Sequence, residues 1–67
     1  MELIDTPNPN AKKILFKGET EKITLSIEKV EGISSVFVGP GFLTITKESS
    51  SNWEIITEDI VNIFDKL

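Results

Sequence analysis

Sixty-seven residues, 39% of them hydrophobic and 27% charged, make one folded domain over residues 1–67 with a single small core, and the composition excludes a disordered chain. Eleven acidic residues against seven Lys and no Arg give a net charge of −4, which opposes a phosphate backbone and excludes direct nucleic-acid binding. With no Cys, His or Tyr, the chain has no disulfide, no thiolate-held cluster and no ordinary zinc site, and its acid–base chemistry would fall to Asp, Glu or Lys, so no enzyme is expected.

The first element is a short strand within residues 1–6, carrying Leu3 and Ile4 and ending at Thr6-Pro7-Asn8-Pro9-Asn10. Two prolines make that stretch a stiff connection, since each fixes its own φ and pushes its predecessor toward extended geometry. Residues 11–17 alternate, with Ile14 and Phe16 on one face and Lys13, Leu15 and Lys17 on the other, which predicts a half-buried strand stopped by Gly18. Lys12, Lys13 and Lys17 read as a small basic stripe on an edge strand, where lysines discourage edge-to-edge pairing.

Thr20 as a side-chain N-cap, acidic Glu21, and Ile23, Ile27 and Val30 at spacings of four and three predict an amphipathic helix, with Gly32 in the left-handed position after its end. A strand competes, because Ile23, Leu25 and Ile27 also alternate.

Ile33 to Lys47, ISSVFVGPGFLTITK, predicts a β-hairpin about the Gly39-Pro40-Gly41 turn. A two- or four-residue connection pairs Val38 with Leu43 and Val36 with Ile45. That register gathers these four on the core face and leaves Ser35, Phe37, Thr44 and Thr46 on the other. A three-residue connection would instead pair Val38 with Phe42 and turn Phe37 inward. After the polar Ser49–Asn52 linker, Ser51 with Glu54 three residues on forms a capping-box pattern. Trp53, Ile56, Ile60, Ile63, Phe64 and Leu67 then trace one helical stripe opposite Glu54, Glu58, Asp59 and Asp65.

The order is thus ββαββα: an α+β domain with a four-stranded, mostly antiparallel sheet, two helices on one face, and the other face open. No apolar run approaches the roughly 20 residues needed to cross a bilayer, and the acidic start Met1-Glu2 is unlike a signal peptide, so a cytoplasmic protein without membrane contact is expected. The Thr6 to Asn10 loop and the turn with Phe37, Gly39, Pro40 and Phe42 are the candidate protein-binding segments. Their ordinary reading is a hairpin connection and, for the Phe residues, core packing. Gly39-Pro40-Gly41 joins two strands and is no phosphate loop, and the acidic residues lack calcium-loop spacing.

Thr6-Pro7-Asn8-Pro9-Asn10-Ala11, Val30-Glu31-Gly32-Ile33, Ser35-Val36-Phe37, Gly39-Pro40, Phe42, Thr44-Ile45-Thr46-Lys47 and Asn52-Trp53-Glu54, in that order, resemble the N-terminal domain of Nfu/NifU-like iron–sulfur scaffold proteins. Two departures are Lys12, where that family usually has an apolar residue, and a shorter segment between second strand and first helix. In the family, a C-x-x-C pair in a separate C-terminal domain holds the cluster. The resemblance therefore implies an accessory module that binds other proteins, iron–sulfur scaffold or client proteins among them, without metal or cofactor. Its contact residues would be Thr6, Pro7, Asn8, Pro9, Asn10, Phe37, Gly39, Pro40 and Phe42, and its state a monomer or weak dimer. The alternative is a structural or regulatory interaction domain unrelated to iron–sulfur chemistry, dimeric through its open sheet face.

Overall fold

The computed structural model describes residues 2–66. Its elements are β1 (Ile4–Asp5), β2 (Ala11–Leu15), α1 (Glu21–Glu28), β3 (Ile33–Gly39), β4 (Phe42–Lys47) and α2 (Trp53–Asp65), the ββαββα order expected. Every strand pair is antiparallel and the sheet order is β1-β2-β4-β3. Two antiparallel steps make β2 and β3 parallel, with α1 in the crossover between them and β4 filling the gap.

Opposed residues share a face, and Ile14 opposite Leu43 with Ile45 two residues on define the covered one. Against them pack Ile23 and Ile27 of α1 and Ile56 and Ile60 of α2, and these seven side chains form one core. Burying each such side chain contributes about 1.5–3 kcal/mol. Within α1, Leu25 stands 57% exposed between buried Ile23 and Ile27. A strand would have put all three on one side, so the helical reading of that segment holds.

Several local expectations differ. Thr20 occupies the N-cap of α1 but in a helical conformation, and its side chain makes no capping bond. Helix α1 ends with Lys29 at the C-cap, so Gly32 lies further along. At φ +95° it sits in the turn closed by Ile33 N–H donating to Val30 C=O at 3.3 Å. Asn52, and not Ser51, caps α2: its Oδ1 accepts from Glu54 N at 2.8 Å. Ser51 lies instead against Gly32, where a Cβ would meet its Oγ at 2.6 Å. Leu67 lies outside the described residues.

The hairpin takes the even register, Val38 opposite Leu43 and Val36 opposite Ile45, across a two-residue Pro40-Gly41 turn that uses φ +79° at Gly41. A bulge between Ile33 and Ser35 returns Ile33 to the core side, which strict alternation from Val36 would have given to Ser34. Val38, expected in the core, is 43% exposed. It stands on an edge strand near the hairpin tip, where α1 covers it only in part. Strand β2 is central, so its lysines guard no edge: Lys12 points to the helix side and Lys13 to the open side.

Candidate functional site

The Thr6 to Asn10 loop is held mainly by its own polar groups. Thr6 Oγ1 has the carbonyls of Asn8 and Ala11 as acceptors at 2.9 Å each and itself accepts from Asn8 N at 3.2 Å. Asn8 Oδ1 accepts from Asn10 N at 2.9 Å. These are local turns that fix the backbone between the two prolines. The loop is then tied to the rest of the fold at two points. Lys47, only 9% exposed, donates through Nζ to Asn10 Oδ1 at 3.1 Å and to the Glu48 carbonyl at 3.3 Å. Trp53 Nε1 donates to the Pro9 carbonyl at 2.9 Å.

Neither clamp was evident from residue types. The signal for Lys47 was its parity with Leu43 and Ile45, which sends its stem inward. Lys12 places its Nζ 5.4 Å from the Trp53 ring centroid and 3.3 Å from Asp5 Oδ1. Asp5 is exposed, so this pair adds little stability. Exposed Pro7, Asn8 and Pro9 present a stiff rim, while the side-chain oxygens of Thr6, Asn8 and Asn10 face inward bonds.

At the other end of the sheet, on its open face, the Phe42 ring lies across Gly39. A Cβ on Gly39 would collide with that ring, so the residue opposite Phe42 has to be glycine for the ring to take this place. Phe37 completes the cluster with a centroid distance of 6.3 Å and a 39° tilt to Phe42. Lys13 Nζ stands 5.8 Å from the Phe42 ring centroid, and Leu15 lies opposite Phe42 on β2. Phe37 and Leu15 are 64% and 65% exposed. Lys13 and Leu15 therefore belong to this surface, which the sequence reading did not assign, because their neighbours depend on β4 lying beside β2.

The two candidate segments do not meet. Ala11, next to the loop, is opposite Thr46, whereas Leu15 is opposite Phe42, so they are separated by a four-residue step along the strand, roughly 13 Å. Half-buried Thr44 and Thr46 occupy the intervening open face.

Among the described residues no group of three or more Asp or Glu side chains is placed to hold a metal ion, and no helix is long and apolar enough to cross a membrane. A family model described as "Scaffold protein Nfu/NifU N terminal" matches residues 1–67. The human protein "NFU1 iron-sulfur cluster scaffold homolog, mitochondrial" is 34% identical over 73 residues, covering 84% of this chain and 29% of that protein. The Drosophila persimilis protein of the same name is 33% identical over 84% of this chain and 26% of its own length. This chain thus spans under a third of the length of these curated relatives. The crystal structure of protein SAV1430 from Staphylococcus aureus matches with a TM-score of 0.85 at 26% identity, over 96% of this chain and 95% of that one. The solution structure of SeR13 from Staphylococcus epidermidis shares the fold, with a TM-score of 0.70 at 23% identity over 98% and 94% of the two chains.

Proposed function

This chain belongs to the Nfu/NifU N-terminal scaffold family, which is linked to iron–sulfur cluster assembly, and on that premise we propose that it is a non-enzymatic, protein-binding accessory module of cluster assembly or delivery that does not hold the cluster itself. The observation that carries this reading is the aromatic cluster on the uncovered sheet face, where Phe37 and Leu15 stand about two-thirds exposed beside Phe42. Apolar side chains grouped on an open face are what a protein partner buries. Ligand chemistry supports the second half of the reading, since the sequence supplies neither the thiolate nor the imidazole that iron–sulfur clusters take.

The contact surface is centred on Phe37, Gly39, Pro40 and Phe42, with Lys13 and Leu15 beside them. The Thr6, Pro7, Asn8, Pro9 and Asn10 loop forms its far margin, reached by a scaffold or client protein that lies along the sheet. Titrating the purified domain with ferrous iron and sulfide under reducing, anaerobic conditions should leave no stable cluster absorbance. A chromophore at stoichiometric yield would overturn the accessory role.

A second reading, a homodimer that buries the open face and has no iron–sulfur connection, draws on the same exposed Phe37. Light scattering separates the two. The accessory reading expects a monomer or weak dimer whose state Phe37→Lys leaves unchanged, and a dimer dissociated by that substitution favours the second.

A further inference from the structure

The two edges of the sheet are unlike. One is β1, two residues long; the other is β3, seven residues from Ile33 to Gly39 with no charged residue and no proline. Edge strands are usually protected by charge, proline or brevity, and β3 has only its bulge at Ser34. Gly39 and Phe42 flank a two-residue turn as a hydrogen-bonded pair. Alternation along an antiparallel ladder then directs the backbone N–H and C=O of Val38 and Val36 away from β4. Among the described residues no hydrogen bond from a loop, helix or side chain reaches either residue.

Beside this edge, on the helix side, Thr20, Glu21, Thr24 and Leu25 of the α1 N-terminal region and Val38 of β3 line a concavity of about 360 Å³. Its floor is apolar, with Leu25 57% and Val38 43% exposed. In its wall the Thr24 hydroxyl oxygen is buried without a partner. Glu21 makes no ion pair among the described residues.

We propose that the free edge of β3 and the adjoining α1 groove take an extended segment of a partner protein as a fifth strand, with apolar residues at alternate positions and a Lys or Arg on the same side. The unpaired groups of Val36 and Val38, two residues apart, define a strand-shaped occupant, because their spacing is that of a ladder. Leu25 and Val38 receive its apolar side chains, and Glu21 receives the cation. A second copy of this chain fits less well: β3 carries no cation to meet Glu21, and two chains of net charge −4 repel each other. The site uses neither the proline loop nor the Phe37–Phe42 cluster, so it stands or falls separately from the iron–sulfur reading.

The test is an NMR titration of the labelled domain with the capped peptide Thr-Val-Thr-Val-Thr-Lys, whose even positions present Val, Val and Lys on one side. Saturating peptide should slow amide exchange at Val36 and Val38 at least tenfold and shift the resonances of Thr24 and Leu25. Val38→Pro removes an outward N–H but no bond to β4, so the sheet spectrum should persist while binding weakens at least tenfold. Glu21→Lys, on the exposed helix surface, should weaken binding about fivefold. If Val38→Pro disrupts the fold, the Glu21→Lys result decides. No binding at millimolar peptide, undiminished binding to the folded variants, or shifts confined to the Phe37–Phe42 face would overturn the proposal. So would Val36 and Val38 amides already protected in a peptide-free dimer.

Discussion

Replacing Gly39 with Ala puts a methyl group where the Phe42 ring lies, so the ring must leave its place over the strand. No positive φ is involved at Gly39, so alanine meets no backbone strain there and the whole penalty comes from the ring. Overpacking of this kind costs about 1–3 kcal/mol. Alanine in a strand recovers about 0.5–1 kcal/mol over glycine through lower backbone entropy in the unfolded chain. The net expectation is a loss of roughly 0–2.5 kcal/mol. Urea unfolding followed by the fluorescence of Trp53, the one tryptophan, reads this as a fall in midpoint of up to roughly 2.5 M if the slope is ~1 kcal/mol/M. The decisive step is the same substitution in a Phe42→Ala background. With the ring gone, Gly39→Ala should be neutral or stabilising, giving a coupling of about 1–3 kcal/mol between the two sites. An equal loss in both backgrounds would refute the claim that the ring is why residue 39 is glycine.

Other outcomes follow from the caps and clamps. Asn52→Ala should cost about 0.5–2 kcal/mol, because its Oδ1 holds the Glu54 N–H at 2.8 Å. Thr20→Ala, whose side chain caps nothing, should cost under about 0.5 kcal/mol; equal urea midpoint shifts for the two would contradict the capping assignment. Trp53→Phe removes the bond to the Pro9 carbonyl and should cost about 0.5–1.5 kcal/mol. Hydrogen exchange at Asn10 and Ala11 should quicken relative to β4, and unchanged exchange there would mean the indole is not what pins the loop.

The faces of the hairpin were readable because alternation fixes parity once the connection is even, and the two-residue turn at Pro40-Gly41 is even. Helix α2 was readable from a long stripe with a 3.6-residue period. The capping residues were harder, because Ser51 and Asn52 are both good caps on residue type. In the fold α2 begins at Trp53, so Asn52 holds the cap position while Ser51 lies against Gly32. Val38 shows the limit of parity, which names a side of the sheet but not how far a helix extends over it.

Local chemistry in the chain alone determined the element order, the inward residues Ile14, Ile23, Ile27, Ile56 and Ile60, and the lack of thiolate or imidazole ligands. These follow from side-chain period and atom type, which need no long-range information. Only the tertiary structure decided that β4 lies between β2 and β3. That strand order sets Lys13 and Leu15 beside Phe42, separates the proline loop from the turn by the length of a strand, and leaves β3 as the long free edge. Strand order is a pairing between segments distant in sequence, chosen by how two helices cover one face, and no local pattern encodes it.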